Sequence, residues 1–181
     1  MVEYYFDIET TGLNFDNDEI ITIQWQNLDG FTGKPVGELN ILKRWDSSEK
    51  EIIETFLPNL VCKPFDFIFV GKNLLFDFCM LNERLKYFNL GEIDLKCLTQ
   101  RASIDIKPIL VMMNNGNFKG HSKIFPKTNP ITNDLIPELF RERKYAEIIQ
   151  YIIDEAKDFL YAYQILKKEL PLLKERCTQN R

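Results

Sequence analysis

The chain is poor in the residues that mark several common protein classes. Its four cysteines, Cys62, Cys79, Cys97 and Cys177, form no CxxC pair, so neither a disulfide framework nor a thiolate zinc site is indicated. The single histidine, His121, lies in a polar stretch and reads as a surface residue. No apolar run approaches the roughly 18 residues needed to span a bilayer. Acidic Glu3 stands where a signal peptide would carry positive charge. These absences lead to the expectation of a soluble, cytoplasmic protein with reduced thiols. There is no internal repeat and no low-complexity tract. A formal net charge of −4 argues against a simple basic nucleic-acid binder. What the chain does have is apolar bulk: 181 residues, 45% apolar and 13% aromatic, enough for one domain with one core.

The charge is unevenly spread. From Arg101 to Lys144 there are eight Lys/Arg against four Asp/Glu, which leaves the remainder at −8. An ordinary solvated surface accounts for this, and a basic stretch beside an acidic site would also suit a phosphodiester substrate.

Val2–Ile8, Ile20–Trp25 and Val36–Trp45 are rich in β-branched and aromatic residues and read as three strands, with Gly30, Gly33 and Pro35 marking a turn. Three consecutive strands imply an antiparallel meander. Ser48 to Glu51 forms a capping box ahead of Ile52, Phe56, Leu57 and Leu60 at helical spacing, and Pro64 is expected to close that helix. Phe65–Val70 reads as a buried strand leading into a helix over Leu74–Phe88, and Ala102–Ile106 as a last short strand. Residues 109–137 read mostly as loop, with a short helix at Lys107–Met113. The final helix is expected over Tyr145–Leu170, ended by Pro171. This order predicts an α/β domain with a mixed five-stranded sheet over residues 1–171, followed by a basic tail at 172–181.

Three acidic motifs stand on these elements. Asp7 and Glu9 lie two apart on a strand, so they share a face while Ile8 points away. Two like charges held side by side repel unless a cation lies between them, and Mg2+ and Mn2+ prefer carboxylate oxygen. Solvated acids at a strand end are the plainer reading of the pair alone. Asp77, in Asn73-Leu74-Leu75-Phe76-Asp77, follows the buried strand. There it would favour the helix dipole, and would also lie at the carboxyl end of the strands, where ligands gather in open α/β sheets. In the last helix, Ile148, Ile149, Ile152, Ala156, Phe159, Tyr163 and Leu166 define the core direction. Glu155 lies about 65° from it, Tyr151 about 105°, Asp158 about 125° and Asp154 about 165°. Glu155 is thus the acid nearest the buried side, with Tyr151 one turn earlier.

Taken together, Phe6 to Leu13 (FDIETTGL), Asn73 to Asp77 (NLLFD) and Tyr151 to Lys157 (YIIDEAK) resemble the three motifs of the DnaQ-like, or DEDD, 3′→5′ exonucleases. The third is most similar to the tyrosine subtype, as in the proofreading domain of family B DNA polymerases. The family pattern there is Tyr, three residues, then Asp, and this chain has Glu155 at that spacing, with Asp158 as the fallback ligand. The histidine subtype is excluded, because His121 has no Asp five residues on. The resemblance implies a ribonuclease H-like fold and two divalent ions, Mg2+ or Mn2+. It implies that Asp7 bridges both ions, that Glu9 and Glu155 complete one site, that Asp77 supports the other, and that Tyr151 orients the attacking water. Nucleoside 5′-monophosphates would be released from single-stranded 3′ ends of DNA or RNA. Thr10, Thr11, Leu13, Asn73 and Phe76 would contact the substrate, and Lys119, with Lys123 and Lys127, would follow its backbone. Ordinary core or surface roles remain open for each of these. With no polymerase or second domain attached, a non-covalent polymerase or repair partner is an expectation. Two other readings stay in play: a degenerate exonuclease fold that binds nucleic acid or a protein without catalysis, and an unrelated metal-dependent phosphohydrolase.

Overall fold

A computed structural model describes residues 2–61, 67–94, 103–117, 128 and 130–179. Strands β1 (Val2–Thr10), β2 (Ile20–Leu28) and β3 (Pro35–Lys43) form the expected meander. Then follow α1 (Glu49–Val61), β4 (Phe67–Gly71), α2 (Leu74–Tyr87), β5 (Ser103–Asp105), α3 (Lys107–Met113), α4 (Ile136–Arg141) and α5 (Tyr145–Gln179). The sheet order is β3-β2-β1-β4-β5. β1 pairs antiparallel with β2 and parallel with β4, β2 pairs antiparallel with β3, and β4 pairs parallel with β5. This is the mixed five-stranded sheet flanked by helices expected of a ribonuclease H-like domain. No helix among the described residues is long and apolar enough to cross a membrane.

Alternation on β1 divides the two layers. Phe6 and Ile8 face α1 and α2, where Phe6 stacks on Phe56 and Phe78 at centroid distances of 5.1 and 5.7 Å. Glu3, Tyr5, Asp7 and Glu9 face α5. Glu3 accepts hydrogen bonds from Tyr163 Oη (2.7 Å) and Lys167 Nζ (2.5 Å), and the Tyr5 ring meets Phe159 at 4.9 Å. Asp7 and Glu9 meet Glu155. The partners therefore step back by about four helical residues for each two strand residues. One helical turn of about 5.4 Å nearly matches two strand residues of about 6.7 Å. That match delivers Glu155 to the acids at the carboxyl end of β1.

Several boundaries differ from the sequence expectation. β3 stops at Lys43, and Trp45 sits in a 3-10 turn, Arg44–Asp46, where its ring stacks on Tyr145 at 4.6 Å and 4°. α4 and a 3-10 turn at Asn133–Leu135 occupy a stretch expected to be loop. Six residues with only Ile136 and Leu139 buried are too few to display a helical period. α5 does not end at Pro171 but continues to Gln179. An interior proline costs the ladder one N–H and crowds the carbonyl four residues back, and the helix nonetheless runs through it. The expected helix stop at Pro64 lies outside the described residues.

Candidate active site

The first motif is shaped by the turn that follows it. A register shift falls between Glu9 and Thr10, so that Glu9 pairs with Thr22 and Thr10 with Ile20. Such bulges re-aim side chains where they occur. Beyond it, Asp18 accepts from Thr11 Oγ1 (3.0 Å) and from Asn14 N (2.8 Å), while Glu19 N donates to Thr11 Oγ1 (2.9 Å). Thr10 Oγ1 donates to Gly12 O at 2.6 Å. A Cβ at Gly12 would lie 2.4 Å from the Asp18 carboxylate, so only glycine admits this close approach. Both threonine hydroxyls are therefore engaged in building the turn. Leu13 at its tip is 80% exposed, and Phe76 packs on Phe15 at 5.4 Å.

Asp77 enters from the first turn of α2 and is buried. Asn73, in the left-handed region at φ 70°, does not cap that helix with its own side chain. Asp105 does so from β5, accepting from the backbone N–H of Asn73 (2.8 Å), Leu74 (3.0 Å) and Lys107 (2.9 Å). Lys107 Nζ in turn donates to Asn73 Oδ1 at 2.6 Å. A strand-borne carboxylate thus satisfies the orphan amides of two helices at once.

Three carboxylates meet at this end of the sheet. Asp7, Glu9 and Glu155 each offer an oxygen, and these oxygens lie within 4.8 Å of one another. Tyr151 donates its hydroxyl hydrogen bond to Glu155, one turn along α5, and its oxygen is 2.6 Å from Asn133 Oδ1. Asp158 stands apart, accepting from Thr128 N (2.7 Å) and Thr128 Oγ1 (3.1 Å). Tyr151 is only 1% exposed, more buried than its angle on the helix implies, because α4 covers α5 from a second side through Ile136 and Leu139. Asp154 is partly covered rather than fully solvent-facing, and accepts from Gln150 Nε2 at 2.9 Å. Lys119, Lys123, Lys127 and His121 lie outside the described residues.

The electrostatics follow from this crowding. Burial, then the charge of Glu155, push the Asp7 carboxyl up to about 7, opposed by the Gln24 hydrogen bond and by Lys72. Asp77 is raised well above the usual carboxylate range by burial and by the charge of Asp7. The Tyr5 hydroxyl, 3.5 Å from Asp7 Oδ2, is raised by burial and then by the charges of Asp7, Glu155, Glu9 and Asp77. Asp7, Glu9 and Glu155 lie within reach of one another, and the charge of Asp7 acts on Asp77. A set of oxygen donors that repel one another when ionised is a fit for hard divalent cations.

A pH dependence follows for the protein without divalent ions. Folded Asp7 binds its proton more tightly (about 7) than the unfolded carboxyl does (3.8). Between those values the folded state carries the extra proton, so stability falls as pH rises from about 4 through about 7. Melting temperatures taken in chelator should decline across that window. Adding Mn2+ at pH 8 to about 100 times its Kd should restore about 5–10 °C. A flat profile, or no response to Mn2+, would show that the acids are not coupled in this way.

An open apolar cleft of about 340 Å3, lined by Ile104, Ile106, Ile109, Tyr163, Leu166 and Lys167 among others, begins about two turns along α5 from Glu155. Its lining contains no carboxylate. Sequence reasoning missed Gln24, Thr22, Asp105 and Asn133 around the site. Strand alternation on β2 was the one available signal, since Thr22 and Gln24 share the face that Asp7 and Glu9 use on β1.

The sheet order β3-β2-β1-β4-β5 and its flanking helices are those of a ribonuclease H-like fold, with the acids at the carboxyl end of β1. No family model and no curated protein matches the sequence. Among solved structures the chain is similar to E. coli exonuclease I in complex with single-stranded DNA. The metal-free form gives a TM-score of 0.61 at 12% identity, over 98% of this chain and 42% of that one. The zinc-bound form gives 0.60 at 12%, over 98% and 43%. Exonuclease I in complex with the inhibitor BCBP gives 0.58 at 11%, over 98% and 43%. The chain spans less than half the length of these proteins, and the likeness is one of fold.

Proposed function

We propose that this chain is a metal-dependent 3′→5′ exonuclease of the DEDD tyrosine subtype, acting on single-stranded nucleic-acid ends. The observation that carries the reading is the convergence of Asp7, Glu9 and Glu155 within 4.8 Å from motifs nearly 150 residues apart. The likeness to exonuclease I complexes with single-stranded DNA supports the substrate class. Asp7, Glu9 and Glu155 would hold divalent cations, Mg2+ or Mn2+, with Asp77 beside Asp7. Bound there, such ions would lower the pKa of a water and stabilise charge on a leaving 3′ oxygen.

The remaining work falls to side chains of this protein. Burial and the charges of Glu9 and Glu155 push the Tyr151 phenol well above its ordinary range, so it keeps its proton. Held in this way, its hydroxyl would orient water as a hydrogen-bonding group. The Glu155 contact and Asn133 fix where its hydroxyl points. Exposed Leu13 and the Phe15–Phe76 pair, on the segments that follow Glu9 and precede Asp77, would offer apolar surface against which a terminal base can pack.

The test is a 5′-labelled single strand, incubated with Mg2+ or Mn2+. Stepwise shortening from the 3′ end is expected, with Tyr151→Phe slower by about 10²-fold through lost orientation of the water at unchanged Mn2+ affinity. An intact label with every divalent ion tried would overturn the proposal.

A further inference from the structure

Gln24 is a fully buried amide placed on β2 directly opposite Asp7 in the strand register. Its Nε2 donates to Asp7 Oδ2 at 2.9 Å. Its Oε1 accepts from Thr22 Oγ1 at 3.0 Å, and Thr22, itself fully buried, is the register partner of Glu9. The orientation of the amide is dictated by chemistry. An ionised carboxylate only accepts, so the amide nitrogen must face Asp7, and the oxygen must then face a donor, which the threonine hydroxyl supplies. Tyr5 Oη approaches the same Oδ2 at 3.5 Å from the strand's own inward face.

We infer that Gln24, locked by Thr22, is the positioning residue that sets the orientation of the Asp7 carboxylate toward a divalent cation. The inference rests on the reading of these acids as cation ligands. Here a threonine orients an amide, the amide holds one carboxylate oxygen, and both β2 residues stand opposite the two acids of the first motif. Partners that fix the rotation of a ligating carboxylate are commonly worth about 10- to 100-fold in metal affinity or activity.

The experiment is calorimetric titration of Mn2+ into wild type, Gln24→Met and Thr22→Val. Far-ultraviolet circular dichroism and the metal-free unfolding midpoint serve as controls. Gln24→Met keeps side-chain length but removes the donor, and is expected to weaken Mn2+ binding about 10-fold. Thr22→Val keeps the shape and should weaken it in the same direction by a smaller factor. Strand shortening by Gln24→Met should recover as Mn2+ is raised, which a general loss of structure would not do. Unchanged Mn2+ isotherms in wild type and both variants would overturn the role of Gln24 while leaving the metal site standing. If Gln24→Met does not fold, Thr22→Val alone decides, and an isotherm identical to wild type counts against the inference. Absence of Mn2+ binding by wild type itself would instead overturn the proposed function, and this inference with it.

Discussion

Asp7→Ala is expected to leave no more than about one-thousandth of the wild-type rate of 3′-end shortening. Asp7 belongs to the group formed with Glu9 and Glu155, and its charge is also the one that acts most strongly on Asp77. Truncating it removes the acid that joins the β1 and α5 carboxylates to the α2 carboxylate. A loss of several kcal/mol in transition-state stabilisation corresponds to this factor. The fold should tolerate the change, because relieving mutual repulsion among crowded acids favours the metal-free protein. Single-turnover rates with a labelled strand, alongside the unfolding midpoint, measure both halves. More than a tenth of wild-type activity in a folded Asp7→Ala protein would contradict the role assigned to it.

A comparably large effect, on stability, is expected outside the acid cluster. Glu49 accepts from Arg84 Nε and Nη2, both at 2.7 Å, and from the backbone N–H of Ile20 at 2.7 Å. Both side chains are nearly fully buried, and the guanidinium lies 4.2 Å from the Tyr87 ring centroid. The pair joins the start of α1, the start of β2 and the end of α2, the helix that carries Asp77. Arg84→Met strands a buried carboxylate and should cost about 3–5 kcal/mol, lowering the melting temperature by about 6–20 °C. Adding Glu49→Gln to that variant should recover part of the loss, since the amide is cheaper to leave without its cation. A single variant as stable as wild type would show that the bridge is not holding the elements together.

The features legible beforehand were those carried by short-range pattern. Period-two alternation located β1 and β2 and placed Asp7 with Glu9. Angular arithmetic on the last helix ranked Glu155 ahead of Asp158 on its buried side, and these two acids do part company, one meeting Asp7 and Glu9 and the other Thr128. Features that depend on a second element were not legible. Tyr151 is buried because α4 closes over it, which no property of α5 alone reveals. Asp105 caps α2 from a strand about 30 residues later in the chain, so the helix start carried no cap signal of its own. Glu49 reads as an ordinary first-turn acid until Arg84 is folded against it. Gln24 and Thr22 pass as polar interruptions of an apolar strand until register sets them opposite Asp7 and Glu9.

The central claim is that acids remote in sequence are gathered to hold divalent cations. The most direct measurement is anomalous scattering from crystals soaked in Mn2+, with wild type and Asp7→Ala compared. The expected result is Mn2+ density bounded by Asp7, Glu9 and Glu155 in wild type, with Asp77 alongside, and none there in Asp7→Ala. Carboxylates left without density at saturating Mn2+, or ions bound only elsewhere, would contradict it.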